Sequence, residues 1–370
     1  MPFVRKEFTP VRRRIFQRPA SAVGASALEY NGPVMQENVG TVGEKALLRR
    51  LRKYVGGEGR VLRAFSEDCA VVDAGAGRLQ LMTTDVMVDG LHFRREWMPP
   101  FHLGRKAVNV NVSDISAMGG RALFFLVSLG LPPETATAFV DETYRGIESA
   151  MKDSTLVLAG GNLSASPVFF IDITMVGEVD RDRVLMRNGA GAGDALFVTG
   201  PLGGAACGLA LLESGLRIDS TLEEWEREGI LAQLDPPVLQ NSAAWLSASG
   251  LVTSMMDLSD GLAADLPELC RESGVGALLQ AARIPVARSA GKLARQDPLR
   301  LALTGGEDYH LLFTVSGEGL PEFHRRSGDA GIDFHEVGVI VPAADGIFLQ
   351  NEAGEKTPLG PGFQHFSGTS

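Results

Sequence analysis

Residues 178–193 read EVDRDRVLMRNGAGAG, a charged run that gives way to glycine. No apolar period runs through it, and its glycines interrupt helix and strand alike, so it marks a boundary between two domains. On its N-terminal side the pattern predicts a short helix over Lys45–Tyr54. Strands over Cys69–Val72 and Leu79–Thr83 follow, joined by a turn at Ala74-Gly75-Ala76-Gly77. His102–Met118 reads as a helix stopped by Gly119-Gly120, with Leu103, Ala107, Val108, Val110, Val112, Ile115 and Met118 spread all round it. A helix apolar on every side is a buried one. Strands are expected at Leu123–Leu129, Leu156–Leu158 and Val168–Val176. A helix opened by Pro133 carries Val140, Tyr144, Ile147 and Met151 on one stripe.

Beyond the linker a second series begins. Leu196–Thr199, Val252–Met256, Ala277–Leu279, Leu311–Val315 and Val337–Val341 read as strands. Ala205–Glu213, Pro236–Ser249, Gly261–Ser273 and Pro321–Arg326 read as helices. Strict strand–helix alternation is lacking in both halves, which points to α/β (α+β) domains with mixed sheets. The boundaries expected are a basic tail at 1–40, one domain at 41–180 and another at 181–370.

The chain of 370 residues is 45% hydrophobic and 22% charged, as a soluble globular protein is. Its longest mostly apolar run, Ala122–Leu131, is about half the length of a membrane span, so no membrane partner is expected. The three cysteines, Cys69, Cys207 and Cys270, are far apart and form no CxxC, which argues against a disulfide framework and a structural zinc site. A reducing cytoplasm is the natural setting. The net charge of −10 argues against nucleic acid as a partner. Residues 1–20 nonetheless hold six basic side chains and one acid. Without an apolar period, residues 1–40 read as a disordered basic arm, an organelle transit peptide, or an over-extended start ahead of Met35.

No phosphate-binding loop of the Walker type is present, and GAGAGD at 189–194 has the wrong spacing for a dinucleotide fingerprint. Acids at strand and helix ends stand out instead. They are Glu67-Asp68, Asp85 with Thr83 and Thr84, Asp114 on the buried helix, Asp257 and Asp260 around Ser259, and Glu307-Asp308 after two glycines. Asp114 has no basic residue at i±3 or i±4, and a buried carboxylate must be paired or metal-bound. Hard cations such as Mg²⁺ take oxygen ligands and bridge carboxylates to phosphates. Acids in both halves of the chain therefore describe a polyphosphate site loaded with metal, with Arg187 placed at the boundary to touch a phosphate.

Five motifs carry a resemblance to the thiamine-monophosphate kinase family of the aminoimidazole ribonucleotide synthetase superfamily. They are TTDVMVDGLHF at 83–93, GRKAVNVNVSDISAMGG at 104–120, MRNGAGAGDALFVTGPLGG at 186–204, DLSDGL at 257–262 and GGEDYHLLF at 305–313. The resemblance runs in order from about Gly43 to Phe366. It implies a two-domain synthetase-like fold whose N-terminal domain forms a homodimer through its sheet. It implies phosphoryl transfer from ATP to thiamine monophosphate, with several Mg²⁺ ions in a cleft between the domains.

By position, Glu67, Thr83, Thr84, Asp85, Asp114, Asn162, Asp257 and Asp260 resemble the metal shell, with Asp85, Asp114 and Asp257 nearest the chemistry. Tyr144, Gly161, Asn162, Arg187 and Ser259 resemble ATP contacts. His92, Glu307 and Phe363 resemble substrate contacts, Glu307 as a counter-charge for cationic thiamine. The family usually has Asp-Asp where this chain has Glu67-Asp68, and Gly-Gly-Asp-Thr where it has Gly160-Gly161-Asn162-Leu163. Two other readings are another ATP-dependent enzyme of the superfamily and a non-catalytic nucleotide- or thiamine-phosphate-binding paralogue.

Overall fold

The computed structural model describes residues 39–54, 59–152 and 154–360. Phe363 and nearly all of the basic tail lie outside them. In the N-terminal half the elements are α1 (Val39–Val42), α2 (Glu44–Leu51), β1 (Val61–Arg63), β2 (Ala70–Gly75), β3 (Arg78–Val88), α3 (Pro100–Ala117), β4 (Arg121–Leu131), α4 (Thr137–Met151), β5 (Val157–Ala165) and β6 (Phe170–Asp180). The strands form one sheet in the order β1-β2-β3-β6-β4-β5, antiparallel except for the parallel pair β4–β5.

The second half begins with β7 (Ala195–Val198), α5 (Gly204–Glu213), α6 (Glu224–Leu234), α7 (Gln240–Ser249), β8 (Val252–Asp257) and α8 (Leu262–Ser273). It continues with β9 (Val275–Gln280), α9 (Arg288–Leu293), α10 (Pro298–Thr304), β10 (Leu311–Val315), α11 (Leu320–Ala330), β11 (His335–Pro342), β12 (Ile347–Gln350) and β13 (Lys356–Pro358). Its sheet runs β13-β12-β9-β11-β7-β10-β8. Both halves are thus mixed α/β.

Helix α3 is the axis of the molecule. Its apolar residues from Leu103 onward are all buried, as a period-free distribution requires. One side packs on β3 and β6, and the other meets α7 and β8 of the second half. Two glycines bring α4 against it. A Cβ on Gly104 would lie 1.9 Å from the carbonyl of Thr143, and one on Gly146 would lie 1.9 Å from that of Phe101. All three cysteines are buried and unpaired.

The structure departs from the sequence expectations at several places. Helix α4 starts at Thr137 rather than Pro133. Pro133 pushes Pro132 out of the helical region, and the amide of Thr135 closes a turn on the Pro132 carbonyl at 2.9 Å. Likewise α7 starts at Gln240, after Pro236-Pro237. The strand expected at Leu156–Leu158 runs on through Gly160-Gly161-Asn162 to Ala165. Within β5, a register shift between Phe125 and Leu126 of β4 leaves Ala159 unpaired, next to Gly160 at φ +151°. Helix α6 was not anticipated. Its Gly229 obscures the pattern, but Glu223 and Glu226 form a reciprocal capping box at its start.

Candidate functional site

Four segments meet where α3 passes between the sheets: the loop before β2, the C-terminal half of β3, the second half of α3 and the end of β8. They bring together Asp68, Asp85, Asp114 and Asp257. One carboxylate oxygen from each of Asp68, Asp114 and Asp257 lies within 4.8 Å of the others. The hydroxyl of Thr83 donates to Asp114 Oδ2. Ser113, the neighbour of Asp114 on α3, donates to Asp257 Oδ2 at 2.6 Å. One helical turn therefore addresses both domains.

Burial, then the charges of Asp85 and Asp257, push the Asp114 carboxyl well above its usual range. Burial and then Asp68 push Asp257 up to about 7. Asp85 is also raised by burial, against the lowering effect of its hydrogen bond with Asp114. Carboxylates crowded in this way need a cation. Arg187 supplies one, its guanidinium pairing with Asp68 Oδ1. Asp68 Oδ2 stays buried without a hydrogen-bond partner. An all-oxygen donor set with an orphaned buried carboxylate oxygen fits a hard divalent cation such as Mg²⁺. Cys69, beside Asp68, supplies no thiolate, because burial and the charges of Asp114 and Asp68 hold its thiol protonated.

The expected residues divide into those that reach this point and those that do not. Thr83, Asp85, Asp114 and Asp257 reach it. Glu67 turns aside and accepts the backbone N–H of Arg187 at 2.8 Å, its carboxyl pushed up to about 7 chiefly by burial. Asp68, one residue on, stands in the cluster in its place. Thr84 points through the opposite face of the sheet, where its hydroxyl meets Asp172 at 3.1 Å and Thr174 at 3.3 Å. Gly161 and Asn162 pair with Val127 and Ser128 of β4 at the far edge of the sheet, three strands from β3. Tyr144 packs half-buried on the core from α4. In one chain Gly161 and Asn162 are remote from Asp85.

A cavity of about 520 Å³ opens beside the cluster. Asp85, Ser259 and Asp260 line its acidic side, and His92, Trp97 and Tyr309 give it aromatic walls. His92 is fixed by the amide of Val88, which donates to its Nδ1 at 3.1 Å. Glu307 adjoins Ser259 in a left-handed conformation, φ +67°, held by its own N–H on the Ser259 carbonyl at 2.7 Å. Both of its oxygens are engaged. Lys106 Nζ lies 3.0 Å from Oε1, and Gln233 Nε2 donates to Oε2 at 2.5 Å. The carboxylate expected to balance a cationic substrate already has a buried lysine as counter-ion.

The AIR synthase related protein N-terminal domain family matches residues 66–179, and the corresponding C-terminal domain family matches residues 191–349. The thiamine-monophosphate kinase of Aquifex aeolicus is 33% identical over 88% of this chain and 98% of its own length. That of Mycobacterium tuberculosis (strain H37Rv) is 35% identical over 79% of this chain and 85% of its own. The chain belongs to the thiamine-monophosphate kinase family. A solved structure of AaThiL complexed with AMPPCP and TMP superposes with a TM-score of 0.77 at 31% identity, covering 90% of this chain and 99% of that one.

Within this thiamine-monophosphate kinase fold, several site residues carried weak sequence signals. Lys106 is wholly buried on α3, in a motif whose acid drew attention first. Asp265 accepts the N–H groups of Asp260 and Gly261 at 3.1 and 3.0 Å and so shapes the loop that presents Ser259. Asp308 accepts from Gly203 at 2.6 Å and Ala205 at 3.0 Å, tying the 305–309 loop to the start of α5. An acid five residues beyond an Asp-Gly loop and an acid beside Glu307 were the available clues.

Proposed function

We propose that this chain is a thiamine-monophosphate kinase that transfers the γ-phosphoryl group of ATP to thiamine monophosphate, giving ADP and thiamine diphosphate. The observation that carries the reading is the convergence of Asp68, Asp114 and Asp257 beside an aromatic-walled cavity that also holds Asp85. Asp68, Asp85, Asp114 and Asp257 would hold Mg²⁺, which when bound offsets the repulsion between the two phosphate anions. Ser113 and Thr83 orient two of these carboxylates, and Arg187 holds a third. The acceptor phosphate has a second pKa near 6, so its attacking oxygen is already ionised at neutral pH and no protein base is required. Its oxygen forms the new P–O bond as the bond from the γ-phosphorus to the β-phosphate oxygen breaks. The chain's task is then alignment and exclusion of water. Ser259 and Asp260 at the cavity's acidic side support contacts to the nucleotide and metal, and His92 supports a substrate contact.

The same reading includes a homodimer. Met82, Val86, Phe124 and Leu126 form an apolar face on the N-terminal sheet, 38–45% exposed. Apolar surface of that kind calls for a partner. Pairing two such faces is the arrangement in which Tyr144, Gly161 and Asn162 of one copy can serve the nucleotide of the other. The three buried, unpaired cysteines fit a reducing compartment such as the cytoplasm. No helix among the described residues is long and apolar enough to cross a membrane.

Turnover of thiamine monophosphate with ATP, measured with and without Mg²⁺, tests the assignment. Formation of thiamine diphosphate supports it. Use of ATP on another acceptor, or ligand binding with no turnover, would replace it with one of the other two readings.

A further inference from the structure

Gln233 is the part of the cavity that the phosphoryl chemistry leaves unexplained. It lies in the last turn of α6 and is 3% exposed. Three residues of α3 hold it and the residue two beyond it. Lys106 Nζ donates to the Gln233 carbonyl at 2.7 Å, while Arg105 and Asn109 donate to the carboxylate of Asp235 at 2.9 and 3.1 Å. Its side chain is fixed as well. Glu307 Oε2 can only accept, so the group facing it at 2.5 Å must be the amide NH₂. The amide oxygen is thereby turned elsewhere, and Oε1 is buried with no hydrogen-bond partner. A buried acceptor left empty is a liability that folded proteins rarely keep without a use. Gln233 lines the same cavity as Trp97 and Tyr309, whose rings suit a flat heterocycle.

We propose that Gln233 is a specificity residue, its carbonyl oxygen accepting a hydrogen bond from the exocyclic amino group of an aminopyrimidine. This rests on the kinase reading above, because thiamine monophosphate carries such a ring. The Lys106–Glu307 pair then acts as a positioning device. It fixes which end of the Gln233 amide faces the substrate, so the site presents an acceptor and favours an amino group over an oxo group. A site built to take an N–H discriminates strongly against an analogue that lacks it.

The test uses the full chain and two ligands, thiamine monophosphate and its analogue with oxygen in place of the pyrimidine amino group. Calorimetric titration is run with wild type and with Gln233→Met, which keeps length and bulk but has no carbonyl. Wild type should bind the amino form at least about tenfold more tightly than the oxo form. In Gln233→Met the affinity for the amino form should fall about tenfold and that for the oxo form by less than about twofold, erasing the preference. In steady state the loss should fall on KM for thiamine monophosphate and not on KM for ATP. Equal binding of the two ligands by wild type overturns the inference, and that arm needs no variant to fold. So does a preference that survives in Gln233→Met with an unchanged melting temperature. If wild type neither binds nor phosphorylates thiamine monophosphate, the kinase reading itself is withdrawn and this inference with it. Turnover without discrimination would sink only the role of Gln233.

Discussion

Asparagine in place of Asp257 should make the protein more stable and less active, and pH should decide by how much. Asp257 is 1% exposed, and burial together with Asp68 moves its carboxyl from the ordinary 3.8 up to about 7. In that interval the folded state holds a proton that the unfolded state has released, so stability falls as pH rises from about 4 to 7 and then levels off. At 1.36 kcal/mol per pH unit the full penalty is about 4 kcal/mol. Asparagine removes the charge and can still accept from Ser113. A net gain of about 2–3 kcal/mol above pH 7 remains after roughly 1 kcal/mol for the weakened hydrogen bond. In a chain this long that corresponds to roughly 3–6 °C in melting temperature. Melts followed by circular dichroism in chelator should show Asp257→Asn above wild type at about pH 8 and level with it near pH 4. Millimolar Mg²⁺ should reverse the order at pH 8 by stabilising wild type alone, while turnover of the variant drops by orders of magnitude. A variant that melts below wild type at every pH, or that gains as much from Mg²⁺, would refute the assignment of Asp257 as a carboxylate awaiting a cation.

Three further outcomes are expected. Asn162→Asp should half-saturate at lower Mg²⁺ with equal or higher maximal turnover, because a full charge replaces a dipole worth about 1–3 kcal/mol less to the ion; titration at saturating ATP and thiamine monophosphate checks this. Leu126→Lys, which places a charge on the exposed sheet face, should convert a dimer to monomers in sedimentation and lower turnover with it. Deleting residues 1–34, which carry no apolar period, should leave turnover and melting temperature within error; a loss of either would show that the tail contributes to the body.

The parts of the fold legible in the sequence were those in which a local pattern and its tertiary use coincide. Helix α3 is apolar all round because two domains pack on it, so its pattern announced its burial. The same coincidence exposed Asp114, a carboxylate with no local partner. What stayed hidden depends on direction rather than identity. Thr83 and Thr84 are adjacent hydroxyls, and only strand geometry sends one to Asp114 and the other through the sheet to Asp172. Glu67 and Asp68 are adjacent acids, and only the path of the loop decides which one joins the cluster. Gln233 was invisible because α6 contains a glycine. That glycine, Gly229, lies where α5 crosses: a Cβ on it would come 3.1 Å from Cys207 Sγ and 3.2 Å from Ser289 Cβ, while one on Gly208 of α5 would meet the Gly229 carbonyl at 2.0 Å.

The buried cysteines bear on how the protein withstands oxidation. The thiolate is the form that alkylating agents and peroxides attack. Burial lifts Cys207 to about 11 and Cys270 to about 12, and Cys69 stands well above its ordinary 9.0 with carboxylates around it. None offers a thiolate at neutral pH, and none is open to a reagent while the fold is closed. A chain built in this way has no redox switch at its cysteines. Its activity should persist through oxidant exposure that silences enzymes with reactive thiols, and iodoacetamide should modify it only as fast as it unfolds.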